Sequence, residues 1–156
     1  MNPTLSIAVI VVLVAVVLMR VERSHAGGVP GTDDQWDEQP TILPVADATA
    51  LDTLFAASHQ ATTLLFLHDP GCPISRAAYK QMMRLDDNLS LPLLDVRHAQ
   101  ALTRAVEQRT GVRHESPQVL VLSGGAAVWS ASHYAITAQT VTDALAHATE
   151  PGEAGS

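Results

Sequence analysis

With a single cysteine in 156 residues, the chain can close no internal disulfide, carry no Cys-x-x-Cys redox pair and build no zinc site from thiolates. Strongly basic segments are lacking and the net charge is −7, so the electrostatic footprint of a nucleic-acid binder is missing. Aromatic residues make up only 4% of the chain. Internal repeats and low-complexity tracts are also absent. The length suits one domain with additional segments rather than two. What the sequence has in excess is aliphatic residues, and they are unevenly spread: residues 5–19 hold no charged side chain and consist largely of Val, Ile, Leu and Ala.

That first run reads as a membrane anchor, with a cleaved signal peptide and a buried element as the alternatives. Counted from Thr4 to Met19 it spans 16 residues, slightly fewer than the ~17–25 of a spanning helix. Val21 and the snorkelling stems of Arg20 and Arg23 make up the difference. A signal peptide carries its positive charge before the apolar core, whereas here the arginines follow it. The Ser24-His25-Ala26 triplet does resemble a small-residue cleavage site. The favoured reading is an uncleaved single-pass anchor over residues 1–23, with the following domain cytoplasmic by the positive-inside rule. Residues 24–40, with Gly27-Gly28, Pro30-Gly31 and the acids Asp33, Asp34, Asp37 and Glu38, read as a flexible acidic linker. The tail, residues 150–156, reads as disordered.

From Thr41 to Thr149, strand and helix periods alternate. Strands are expected over 41–45, 62–67, 91–96, 118–122 and 126–130, the last two joined by a Gly124-Gly125 hairpin. Helices are expected from a cap at Asp47 or Thr49 through Leu51, Leu54 and Phe55 to Ser58, from Cys72-Pro73 onward, over 99–110 and over 136–148. Ile74, Ala78, Met82 and Leu85 form the inward stripe of the second helix, Leu102 and Val106 face inward on the third, and Gly111 stops it. The fold class is therefore α/β, a mixed central sheet flanked by helices and preceded by a single N-terminal transmembrane helix. With a cysteine opening the helix after a central strand and a proline entering a later one, the order resembles the thioredoxin-like fold.

Cys72 is the candidate reactive residue. A helix N-terminus presents unpaired N–H groups and a positive dipole end, which favour a thiolate. Pro73 suits the first helical position, where its missing N–H costs nothing. The Pro70-Gly71 turn offers no bulky apolar cover, so the thiol is expected to be partly exposed, unlike the usual lone cysteine buried as a small hydrophobe. In Cys72-Pro73-Ile74-Ser75 a serine stands where a dithiol protein has its resolving cysteine. A mixed disulfide at Cys72 would persist until an outside thiol attacked it. Ser116-Pro117 is the second element, expected to be a cis bond at the entry to a strand.

Three segments, 66–79 (FLHDPGCPISRAAY), 110–122 (TGVRHESPQVLVL) and 127–137 (AVWSASHYAIT), resemble the YtxJ-like monothiol bacilliredoxins, thioredoxin-superfamily redox proteins of the bacillithiol system. The Cys-Pro-Ile-Ser and His-Glu-Ser-Pro-Gln motifs are ungapped. Tyr134 stands where a tryptophan is expected, and the N-terminal anchor has no counterpart in that family. The resemblance covers residues 41–149. It implies removal of bacillithiol from S-bacillithiolated proteins, with bacillithiol as a thiol co-substrate and no bound cofactor. Cys72 would be catalytic, supported by Pro73, Ile74 and Ser75. Arg76, His68, His114, Glu115, Ser116, Pro117, Ser132 and His133 are the candidate substrate-binding residues. Bacillithiol carries a malate, so cations near Cys72 are favoured. Arg76, Lys80 and Arg84 form a basic row, of which Lys80 and Arg84, farther from the sulfur, read as a solvated face. The histidines match no metal motif, and no metal is expected. Two other readings remain: exchange with another low-molecular-weight thiol, and a non-catalytic membrane-tethered adaptor. Oligomeric state is unreadable here.

Overall fold

Alternation along the central strands sorts the apolar residues into two cores. A computed structural model describes residues 39–149, in which Thr63–His68 (β2) and Gln118–Ser123 (β4) run through the middle of a five-stranded sheet. Successive strand side chains point to opposite faces. Leu64, Phe66, Val119 and Val121 therefore pack with Ala78, Met82, Val141 and Ala144 on one face. Leu65, Leu67, Leu120 and Leu122 pack with Leu51, Leu54, Phe55 and Val106 on the other. Leu65, Phe66 and Leu67 have no exposed surface, as expected of a strand covered by helices on both sides.

The other strands are β1 (Thr41–Pro44), β3 (Ser90–Asp95) and β5 (Ala126–Ser132). The sheet order is β1-β3-β2-β4-β5, with β3 parallel to both β1 and β2, and β4 antiparallel to β2 and β5. Helices α1 (Ala48–Ala57) and α3 (Gln100–Thr110) supply the second core, while α2 (Pro73–Met82) and α4 (Ala138–Thr149) supply the first. The expected mixed sheet between helices is present. Asp47 caps α1 by accepting the Ala50 N–H (2.8 Å), and Gly111 ends α3 at φ 69°. Gly124 and Gly125, at φ 60° and 80°, make the two-residue hairpin turn that positive φ requires. Ser58 holds that turn in place: its carbonyl accepts the Gly124 N–H (2.8 Å) and its hydroxyl the Gly125 N–H (3.2 Å).

Several expectations are corrected. The buried stripe of α2 is Ser75, Ala78 and Met82, so Ile74 is only partly buried and a polar residue takes its place. Leu85 is buried but lies beyond the end of the helix. His68 belongs to β2 rather than to the turn, and β5 continues to Ser132. A 3-10 turn, His133–Ala135, then precedes α4, so Ile136 is a buried residue ahead of the last helix and not part of it. The anchor expected over residues 1–23, the tail over 150–156 and all of the linker except Gln39 and Pro40 lie outside the described residues. Among the described residues no helix is long and apolar enough to cross a membrane.

Candidate active site

β2 and β4 bring the two sequence motifs to one edge of the sheet. Leu67 pairs with Gln118, so the chain leaves β2 toward Cys72 beside the point where it enters β4 from Pro117. The turn after His68 is held by Asp69, whose Oδ1 accepts the Gly71 N–H (2.8 Å) and whose carbonyl accepts the Cys72 N–H (3.0 Å). Cys72 is the N-cap of α2 with φ −92° and ψ 125°; its carbonyl accepts the first helical bond from Arg76 N–H (3.0 Å). Pro73 occupies the first turn, where a proline needs no partner. The thiol is free and partly exposed, and it makes no capping bond. This is the exposure that the small residues before it led us to expect.

Ser75 has the most constrained environment at the site. It has no exposed surface. Its hydroxyl accepts the Asp69 N–H (2.9 Å) and lies 2.8 Å from His68 Nδ1. That oxygen can take a second donor or give its own proton, so the bond with Nδ1 forms with either tautomer of the His68 ring. Burial lowers the His68 pKa from its ordinary value, against the opposing pull of the Asp95 and Asp69 charges and the Ser75 bond. The imidazole is stacked between Phe66 and Tyr79, each ring centroid 5.3 Å away. Ser75 is therefore a buried link between the strand end and the reactive turn.

Two arginines reach that turn. Arg76 Nη1 donates to the Pro70 carbonyl (3.4 Å). Arg97, which follows β3, carries its guanidinium against Gly71, where even a methyl group would collide with Nη1. Its Nε lies 3.7 Å from Asp69 Oδ1. Arg97 was not legible as a site residue, because it sits 25 positions from Cys72 in a loop without a motif. The loop itself is ordered by Asp95. Burial would raise this carboxyl, but bonds from His98 Nδ1 and the Arg97 N–H (2.9 Å each) prevail and hold it below the usual carboxylate range.

On the β4 side, the Ser116–Pro117 bond is cis. His133 adopts φ 54°, a left-handed conformation that histidine reaches more readily than most residues. From there its N–H donates to the Pro117 carbonyl (3.1 Å), and its Nδ1 lies 3.7 Å from Glu115 Oε2. Ser132 pairs with Gln118 across the strands. Gln118 is buried and bridges the loop, donating to the Arg113 carbonyl (3.0 Å) and accepting the Glu115 N–H (3.4 Å). The 3-10 turn packs on α2, which joins this loop to the cysteine helix. His114 Nδ1 and Ser116 Oγ are buried without a hydrogen-bond partner among the described residues. Burial lowers the His114 pKa, against Glu107, Gln118 and Glu115.

The candidate histidines thus divide between two places: His68 with Ser75 at the start of α2, and His114 and His133 on the Pro117 side, flanking Glu115. Among the described residues no three His, Cys, Asp or Glu side chains are grouped to hold a metal ion.

A helix-opening thiol without a second thiol, set beside a cis-proline on this sheet, defines a monothiol protein of thioredoxin-like fold. Solved structures of similar shape agree on the fold. They include a protein described as having a thioredoxin fold (23% identity, TM-score 0.62, covering 67% of this chain and 93% of that one). Thioredoxin h of Nicotiana alata (13%, TM-score 0.59, 77% and 100%) and a thioredoxin mutant of Halobacterium salinarum (22%, TM-score 0.54, 78% and 98%) also match. The family model of the monothiol bacilliredoxin BrxC matches residues 44–141, and the chain belongs to that family.

Proposed function

We propose that the protein removes bacillithiol from S-bacillithiolated proteins by monothiol exchange at Cys72. Membership of the bacilliredoxin family supports thiol–disulfide chemistry in general. The observation that carries the monothiol part of this reading is the pairing of a free, partly exposed helix-opening thiol with a Ser75 sealed into a hydrogen-bonded core. The Cys72 thiolate attacks the bacillithiol sulfur of the mixed disulfide. A new S–S bond forms, the old one breaks, and the target protein leaves as its thiolate. A second low-molecular-weight thiolate then attacks the Cys72 adduct, takes the bacillithiol as a small disulfide and returns Cys72 to its reduced form. Each step exchanges one disulfide for another, so electrons balance without a bound cofactor. The roles assigned above to Pro73, Ile74, Arg76, His68, His114, Glu115, Ser116, Pro117, Ser132 and His133 belong to this proposal.

Intact-mass spectrometry of the full-length chain offered bacillithiol disulfide and glutathione disulfide together tests it. The expected product is a Cys72–bacillithiol adduct in excess over the glutathione one. A glutathione preference moves the reading to another thiol, and no adduct with either leaves the adaptor. The apolar run of residues 5–19 with Arg20 and Arg23 behind it supports a membrane tether with the domain on the cytoplasmic side. An impermeant maleimide that labels Cys72 in intact cells would overturn that side.

A further inference from the structure

Beside the reactive turn lies a groove of about 350 Å³ lined by His68, Pro70, Arg76, Tyr79 and Lys80. Its position follows from the elements already described. Pro70 is two residues before Cys72, and Arg76, one helical turn after it, bridges back to the Pro70 carbonyl. Tyr79 contributes a partly buried ring stacked on His68. Lys80, one turn further along α2, is exposed at the rim.

The charge of this groove runs against the rest of the molecule. The chain as a whole carries −7, yet no carboxylate lines the groove and two cations do. Neither Arg76 nor Lys80 forms an ion pair among the described residues. Like charges four apart on a helix repel, so the sequence keeps a mildly unfavourable pair without an acidic partner to relieve it. Arg97 adds a third cation, shared with Asp69, on the Gly71 side of the same turn. The volume falls at the lower end of the ~300–1,000 Å³ of small-molecule pockets, enough for a ligand fragment of sugar size but not for a peptide. An aromatic wall beside cations suits a ligand that is part ring and part anion.

We infer that this groove is the subsite for the carboxylate-bearing, non-sulfur part of the low-molecular-weight thiol exchanged at Cys72, with Lys80 a specificity-determining residue. The inference rests on the exchange reading of Cys72 and specifies which surface the thiol lies on. It also revises the place of Lys80, which belongs to the groove as well as to the solvated face of α2.

The test compares second-order rates of the full-length chain with a carboxylate-bearing disulfide (bacillithiol disulfide, and separately glutathione disulfide) and with neutral hydroxyethyl disulfide. The ratio of anionic to neutral rates is expected to fall about fivefold in K80Q and about tenfold or more in K80E, as loss or reversal of a partly solvated charge contact should do. K80R restores it. R84E makes the same change of net charge one turn beyond the groove and is expected to move the ratio less than twofold, roughly the effect of a screened distant charge. A ratio that K80E leaves unchanged, or that R84E lowers equally, overturns the groove while leaving exchange intact. Failure of the wild-type chain to react even with hydroxyethyl disulfide overturns the exchange reading and the groove with it. A charge effect seen with glutathione disulfide but not with bacillithiol disulfide keeps the groove and replaces the proposed thiol.

Discussion

Two serine hydroxyls on either side of the site, both buried, meet opposite circumstances. Ser75 accepts from Asp69 N–H and pairs with His68 Nδ1. Ser116, next to cis-Pro117, has an Oγ with no partner among the described residues, and His114 Nδ1 two positions earlier shares that condition. On the Cys72 side, no buried side-chain nitrogen or oxygen among the described residues lacks a hydrogen-bond partner. The cis-proline side is held by backbone and by Gln118 but leaves side-chain hydrogen-bonding capacity unused. A buried polar group that is paired contributes modestly, and one left unpaired costs more than a bond returns. The serine at the place of a resolving cysteine is therefore a structural member of the turn that carries Cys72, and the unpartnered side-chain atoms lie at the entry to β4.

The largest effect that divides the two sides comes from C72S, which leaves both networks intact but removes the nucleophile. It is expected to abolish adduct formation with any disulfide while the urea unfolding midpoint stays near that of the parent. The sharper comparison is S75A, which strands Asp69 N–H and His68 Nδ1 in the interior. It is expected to cost about 1–3 kcal/mol in equilibrium unfolding, and a loss well under that range would mean the bridge is not what holds the turn. A smaller effect is expected from pH. Burial holds His68 and His114 below the ordinary histidine value of 6.5. As pH falls, the unfolded chain binds protons before the folded one does. The stability tied to the neutral rings is fully present above 6.5 and is lost as pH drops from there through the lowered folded values. Urea midpoints are expected to fall over that window, and H68N, whose side-chain amide can still pair with the Ser75 hydroxyl, should flatten part of the decline. The smallest change is expected from S116A. Removing an unpartnered hydroxyl removes its desolvation cost, so unfolding should shift by less than about 0.5 kcal/mol or in the stabilising direction. A loss equal to that of S75A would break the comparison outright.

Much of the fold was legible because its signals are local. The near-continuous apolar run before His68, the Asp47 cap, the Gly111 stop and the Gly124-Gly125 turn each depend on residues a few positions apart. So does the placement of Cys72 ahead of Pro73 at a helix start. The misreadings share a cause. Ile74 was taken as the inward residue because it is apolar, whereas the helix presents the Ser75 hydroxyl to His68, seven residues back on the preceding strand. The last helix was started at Ile136 because periodicity does not distinguish a buried residue in a 3-10 turn from one in an α-helix.

By itself, then, the sequence determined the order of elements, the single thiol at a helix start and the impossibility of a self-resolving disulfide, since those follow from composition and short-range chain geometry. Tertiary structure alone decided the duties of the polar side chains. It sealed Ser75 against His68, laid Arg97 over Gly71, turned His133 back onto Pro117 and set Lys80 at the rim of a groove. Those assignments depend on which groups the packed sheet brings within hydrogen-bonding distance, and no local pattern along the chain encodes such distances.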